Sequence, residues 1–272
     1  MKKIIVFFIF LNFFIYSDDS FKIDWAEGRI YSYASVKVKS DKNFMNDRII
    51  GVENAKEETK AGFYKALDTV YIFESTTVLD YFEEHSDKNR ELYSLINNAK
   101  FFKMEYPDLT TIKVTYVIPI FGENSLMSLM ISERNIYTEE LKSYLFYPYK
   151  AEYTGIIIDA RGELTSYDGY KVKAKPALFI SVKDEDGKVV FDQYNVLPDV
   201  IKRKGMALYS YSVMDDFSGR IGSNPLKIAA LGTGDRTGSV LTVSLDNAKK
   251  MVSSDILKNA IKNGSIVIIV NQ

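Results

Sequence analysis

The chain contains no cysteine, which removes disulfides, thiolate nucleophiles and every cysteine-based metal site. The same absence excludes lipidation at a cysteine behind an export signal, the anchor of bacterial lipoproteins. Histidine is almost missing too. His85 is the single imidazole and lies in the polar stretch EEHSDKN, so it reads as a solvated loop side chain, and no site that needs two histidines can be built. Neither a Ser-His-Asp arrangement nor a zinc-binding HExxH motif is available. There is no excess of positive charge: 35 basic side chains face 36 acidic ones, for a net charge of −1. Nucleic-acid binding draws on counterion release along a basic stripe, so no nucleic-acid partner is expected.

What is present is enough apolar material for one large core or two modest ones, with 272 residues that are 46% hydrophobic and 14% aromatic. The chain opens on Met1-Lys2-Lys3 followed by an apolar run, Ile4 to Tyr16, too short to span a bilayer comfortably. Residues 1–17 therefore read as a signal peptide cleaved after Ser17, leaving a mature net charge of −3. An exported protein, periplasmic or associated with the outer membrane, is expected.

The mature chain divides into an N-terminal domain at 18–135, a linker at 136–150 and a C-terminal domain at 151–272. The first reads as strand, helix, helix, strand. Val52, Ala55, Thr59, Phe63, Ala66, Leu67 and Val70 recur at three- and four-residue steps, with Glu53, Lys56, Glu57 and Lys60 on the opposite face. A second helix is expected over Lys88–Lys103, with Leu92, Leu95, Ile96, Ala99 and Phe102 on one side. Thr111–Ile120 alternates as a half-buried strand. The second domain is richer in strands. These are expected at Tyr153–Ile158, Ala177–Lys183, Val189–Phe191, Leu226–Leu231, Val240–Val243 and Ile266–Val270, with helix over Asp246–Lys262 and Gly264 as its stop. Asp184-Glu185-Asp186-Gly187 has hairpin spacing. The class is α+β, as two small mixed domains.

TGIIIDARG (Thr154–Gly162), KPALFISVKDEDGKVVF (Lys175–Phe191), Lys204-Gly205-Met206, NPLKIAA (Asn224–Ala230), VSLDNAKKM (Val243–Met251) and the closing IVIIV carry a resemblance. They are similar to the C-terminal module of exported bacterial proteins related to the flagellar-assembly proteins FlgP and FlgT and to small outer-membrane lipoproteins of the LPP20 type. In the N-terminal half, DWAEG at Asp24–Gly28, Glu53–Lys56 and PIFG at Pro119–Gly122 resemble the same group more loosely. The resemblance implies a non-enzymatic, often oligomeric envelope component, open to peripheral membrane association, with envelope or flagellar basal-body proteins as partners. It implies no catalytic residues, cofactor or metal. The lipidated cysteine of the lipoprotein members has no counterpart here.

Each chemically suggestive cluster has a plainer structural reading. The acidic run at 184–187 lacks the twelve-residue ligand spread of a calcium loop. GTGDRTG at Gly232–Gly238 is followed by the strand-like SVLTV, whereas a phosphate loop opens a helix. Asp159 and Arg161, with Asp168 or Glu163 nearby in sequence, form either a charged site or a pair closing a turn. Trp25 is an interface anchor or core packing. Tyr137, Tyr144, Tyr147, Tyr149 and Tyr153 gather at the proposed join, where an interface or cleft is expected. A structural or assembly protein of the envelope is the leading expectation. A periplasmic binding protein for a small ligand, with a cleft near Asp159, Arg161 and these tyrosines, is the alternative.

Overall fold

The computed structural model describes residues 20–38, 44–134, 138–144 and 152–271. The signal-like segment, Tyr137, Tyr147 and Tyr149 lie outside the described residues. The N-terminal half runs β1 (Phe21–Asp24), β2 (Arg29–Lys37), α1 (Phe44–Leu67), β3 (Tyr71–Phe73), β4 (Thr76–Thr77), α2 (Val78–Glu84), α3 (Asn89–Asn97), β5 (Lys100–Glu105), β6 (Thr111–Pro119) and α4 (Leu126–Arg134). The C-terminal half continues with β7 (Gly155–Asp159), β8 (Leu164–Ser166), β9 (Lys171–Val172), β10 (Ser181–Lys183), β11 (Val189–Phe191), α5 (Pro198–Lys204), β12 (Leu208–Ser210) and α6 (Ser218–Ile221). It ends with β13 (Pro225–Ala229), β14 (Gly232–Thr233), β15 (Val240–Thr242), α7 (Leu245–Met251), α8 (Asp255–Lys262) and β16 (Ile266–Ile269). The fold is α+β with a strand-rich C-terminal half. Among the described residues no helix is long and apolar enough to cross a membrane.

Strands β1, β2, β6 and β5 form an antiparallel sheet in that order. Pairing of Ile30 with Ile118, Ala34 with Val114 and Val36 with Ile112 turns the even-numbered residues of β2 and β6 to one face, and period-2 alternation then makes that face apolar. Helix α1 lies on it, burying Ala55, Thr59, Phe63, Ala66 and Leu67 as the helical spacing predicts. On its far side Lys60 pairs with Glu57 at 2.8 Å. Helix and sheet approach closely at Gly62, where an added Cβ would stand 2.2 Å from Ser32 Oγ and 2.8 Å from the Ser20 carbonyl. Ser32 Oγ itself donates to the Thr59 carbonyl at 2.7 Å. Gly62→Ala is expected to lower stability by about 1–2 kcal/mol in urea titration, because overpacking outweighs alanine's gain in helix propensity.

In the C-terminal half, β12, β16, β7 and β13 form a parallel sheet in that order. A parallel sheet covered on both faces needs continuous apolar runs, and all four residues of β16 are buried. A mixed six-stranded sheet takes the order β11-β10-β15-β14-β8-β9. Its β10–β11 hairpin has Gly187 at φ 80°, the conformation its sequence spacing requires.

Three expected elements are redrawn. The helix expected over 88–103 stops at Asn97, where the Asn98 amide bonds back to the Ser94 carbonyl, and Lys100–Glu105 pairs with β6 instead. The helix expected over 246–262 is two helices, because Ser254 starts a new one by accepting from the Leu257 amide at 3.2 Å. The strand expected over 177–183 keeps only 181–183 in its sheet. Leu178 and Phe179 instead donate to the carbonyls of Tyr71 and Ile72, at 2.9 and 2.8 Å, tying β3 to the C-terminal half.

One cluster of buried side chains takes in Trp25, Ile30, Phe63 and Ile118 together with Ile156, Ile180, Tyr209 and Ile268. Phe121 strengthens this junction. A Cβ added at Gly205, whose φ is +74°, would stand 2.6 Å from the Phe121 ring, so only glycine both fits there and adopts that conformation without strain.

Candidate functional site

The residues singled out from sequence fall in separate places. Trp25 is 6% exposed and packs edge-on against Tyr209, with ring centroids 5.4 Å apart. Tyr209 is buried, and its hydroxyl donates to the Ala177 carbonyl at 3.1 Å and accepts from the Ala177 amide at 3.0 Å. Burial raises its phenol pKa. Tyr144 donates to Asp184 Oδ2 at 2.5 Å under the Lys188 ammonium, 4.0 Å from its ring centre. Burial and then the Asp184 hydrogen bond push this phenol up as well. Tyr153 is half-buried against the main core.

Asp159 and Arg161 stand at the C-terminal end of β7. Nε and Nη2 of Arg161 grip the two carboxylate oxygens at 2.9 and 2.7 Å. The Arg161 hydrogen bond holds the Asp159 carboxyl below its usual range, against the effect of burial. Asp168 is engaged elsewhere, by Arg236 and by Ser166 Oγ at 2.6 Å. Asp159 and Arg161 thus close on each other, the geometry of a pinned turn. His85 accompanies the end of α2, with Nδ1 2.8 Å from the Tyr81 carbonyl and its ring stacked on Tyr81.

The glycine-rich loop owes its shape to Asp235, which is 8% exposed. Its carboxylate accepts from the amides of Gly238 and Val240 at 3.1 Å each, from the Ser239 amide at 3.3 Å, from Ser239 Oγ at 2.8 Å and from Thr237 Oγ1. Amides that would cradle a phosphate in a nucleotide-binding loop are here given to the chain's own carboxylate. Among the described residues no group of three His, Cys, Asp or Glu side chains could hold a metal ion.

A different surface has the character of a working site. Strands β2 and β6 turn their even face to α1, so the odd residues lie on the opposite face: Tyr31, Tyr33 and Ser35 beside Val117, Thr115 and Lys113, of which only Thr115 is buried. Lys22 and Asp24 join it from β1, and Lys103 and Glu105 from β5. Phe102 sits at the irregularity in β5 and packs edge-on against Tyr31 at 5.0 Å. A groove of about 590 Å³ follows, lined by Phe21, Lys22, Asp24, Glu27, Tyr31, Tyr33, Phe102, Lys103, Lys113 and Thr115.

Cations outnumber carboxylates on this face. Lys22 meets Asp24 at 3.0 Å, Arg29 meets Glu27 at 3.5 Å and Lys103 meets Glu105 at 3.0 Å. Lys37 and Lys113 add two more positive charges, with Lys113 Nζ 4.6 Å from the centre of the Tyr33 ring. Burial raises the Asp24 carboxyl, but the Glu27 amide and the Lys22 ammonium outweigh it and hold the group below its ordinary value. Tyrosine rings flanked by ammonium groups favour a partner surface that is flat, partly apolar and acidic. Sequence reasoning passed over this face because its residues are distant in the chain. The available signal was Tyr31 and Tyr33 on the polar side of an alternating strand.

The β5–β6 turn that carries two of these strands is fastened by Asp108, whose Oδ1 accepts from the amides of Thr110 and Thr111, both at 2.8 Å. Hydrogen bonds from Thr111 and Thr110 hold its carboxyl at about 2 against an ordinary 3.8. A depressed acid contributes stability above its unfolded pKa and loses it as pH falls through the folded one. The turn should therefore stay ordered at pH 4 and loosen towards pH 2, read as amide exchange at Thr110 and Thr111.

The protein is thus an α+β chain with an open antiparallel sheet in its N-terminal half. Its residues 155–272, beginning at the first residue of β7, match the family described as the second domain of Treponema pallidum Tp0624. No curated protein matches the chain.

Proposed function

We propose that this chain is a non-enzymatic, exported component of the bacterial envelope that assembles through the open face of its N-terminal sheet. The single observation carrying this reading is that face itself: aromatic, cation-rich and uncovered among the described residues, while α1 packs on the opposite face of β2 and β6. Its charge suits an acidic surface of an envelope protein. The signal-like N-terminus supports export, and the likeness of the Thr154–Gly162 and Lys175–Phe191 segments to FlgP- and FlgT-related proteins favours the flagellar basal body as the setting.

The test is a variant carrying Tyr31→Ser, Tyr33→Ser and Lys113→Glu, expressed in the native host. These side chains leave the buried face untouched, so the fold and export should persist while recovery with the envelope fraction falls several-fold. Unchanged recovery of a folded variant would remove the face from the account. Appearance of the unprocessed chain in the cytoplasm would remove the envelope.

A second reading, binding of a small polar ligand, draws on a cavity of about 580 Å³ between α3, α4 and the ends of β5 and β6, lined by Glu91, Ser94, Asn98, Lys100, Glu123 and Ser128 among others. Glu123 also reaches Lys202 of α5 at 2.9 Å, so a ligand there would touch the junction of the two halves. Thermal-shift screening with sugars, amino acids and nucleotides decides it, since a ligand at 100 times its Kd adds about 2.7 kcal/mol.

A further inference from the structure

We infer that β5 is the interface for a second copy of this chain, paired antiparallel across a two-fold axis at Met104. Strand β5 ends its sheet, so among the described residues one row of its backbone amides and carbonyls has no neighbouring strand. Such an edge is a template for strand addition. Natural edges are shielded by being short, covered, bulged or charged, lysine above all, and β5 carries Lys100, Lys103 and Glu105, so a strand that adds here must match those charges. This one has five exposed residues out of six. Its irregularity lies between Phe101 and Lys103, leaving 103–105 in regular pairing with Thr115, Val114 and Lys113.

The side chains choose both the partner and the register. A two-fold axis perpendicular to the sheet keeps each face on its own side, so Lys103 and Glu105, which share the open face, can meet only residues of that face. Centring the axis on Lys103 sets two ammonium groups opposite each other. Centring it on Glu105 does the same with two carboxylates. Centring it on Met104 places Lys103 opposite the partner's Glu105 and Glu105 opposite the partner's Lys103, so that both cross-strand pairs are attractive. Lys103 and Glu105 already approach to 3.0 Å within one chain, so the four groups would form one alternating cluster. Only a strand with the reverse order of these charges is complementary here, and an antiparallel copy of β5 supplies it.

The product is a continuous eight-stranded sheet in which the two open faces lie side by side. This inference rests on the edge strand and stands whether or not the open face binds an envelope protein.

The chain has no cysteine, so Met104→Cys introduces the only thiol. Under mild oxidation this variant is expected to give a disulfide-linked dimer within minutes, while Ser35→Cys, on β2, gives none. Light scattering during gel filtration should show a wild-type dimer at micromolar concentration. Lys103→Glu and Glu105→Lys should each weaken it by at least about tenfold, since each turns two attractive pairs repulsive. The double exchange restores both pairs and should restore the dimer. Far-ultraviolet circular dichroism confirms that each variant is folded. A folded wild type that stays monomeric to hundreds of micromolar would overturn the proposal. So would a dimer that ignores both single exchanges, or a Met104→Cys variant that crosslinks no faster than Ser35→Cys.

Discussion

Asp235→Ala is expected to lower the stability of the protein by about 3 kcal/mol and its melting temperature by roughly 8 °C. The carboxylate accepts three backbone amides and two hydroxyls in a buried loop, and alanine leaves the amides of Gly238, Ser239 and Val240 without that acceptor. Asp235→Asn keeps one carbonyl oxygen and should recover about half of the loss. The consequence extends beyond the loop. Thr237 Oγ1 and Ser239 Oγ each share their single proton between Asp235 and the Glu74 carbonyl, which lies 2.8 and 3.3 Å away, fastening the β3–β4 hairpin of the N-terminal half to the C-terminal half. Hydrogen exchange should therefore rise at 71–77 as well as at 232–240 in the alanine variant. Exchange confined to the loop would show that the hairpin is held by Leu178 and Phe179 alone.

Trp25→Ala should cost still more, about 3–5 kcal/mol, the usual range for emptying a buried aromatic site. Trp25 is almost fully buried, and its neighbour Tyr209 carries the hydrogen bonds that hold Ala177 in place. Deleting the indole therefore opens a cavity where β1 and β2 meet the parallel sheet. Because Trp25 is the single tryptophan, its fluorescence in the wild type reports this junction without interference. Wild-type unfolding followed by that fluorescence should coincide with unfolding followed by circular dichroism, in one transition. Two separated transitions would mean that the shared core does not couple the halves. The alanine variant, followed by circular dichroism, should shift its midpoint with a similar slope.

Much of this architecture could be read from residue spacing. Helix α1 and strand β6 were legible because each buries its apolar residues on one face, so period 3.6 and period 2 appear directly in Ala55–Thr59–Phe63–Leu67 and in Ile112–Val114–Ile118. The β10–β11 hairpin was legible through Gly187. Strand β5 was not, because Phe102 continues the helical series Leu92, Leu95, Ile96, Ala99, and only hydrogen bonding to β6, distant in the chain, decides the matter. Helix α4 was missed for a different reason. Leu126, Met127 and Met130 are all fully buried, and so short a helix buried this widely leaves no clear polar stripe to reveal its period.

The site residues divide along the same line. The Asp159–Arg161 pair could be proposed because its members are two residues apart, and the structure shows them bound to each other. The open face of Tyr31, Tyr33, Phe102 and Lys113 could not, since it comes from three strands whose pairing is a tertiary fact. Its chemistry lies in the juxtaposition of these side chains.

The most direct measurement on the central claim is photocrosslinking in living cells, with a photoreactive residue replacing Tyr33 on the open face or Glu84 at the end of α2. The account predicts that the Tyr33 position captures an acidic envelope protein in defined yield, that the Glu84 position does not, and that Lys113→Glu suppresses the capture. Equal labelling from both positions, or labelling at Tyr33 that ignores Lys113→Glu, would contradict it.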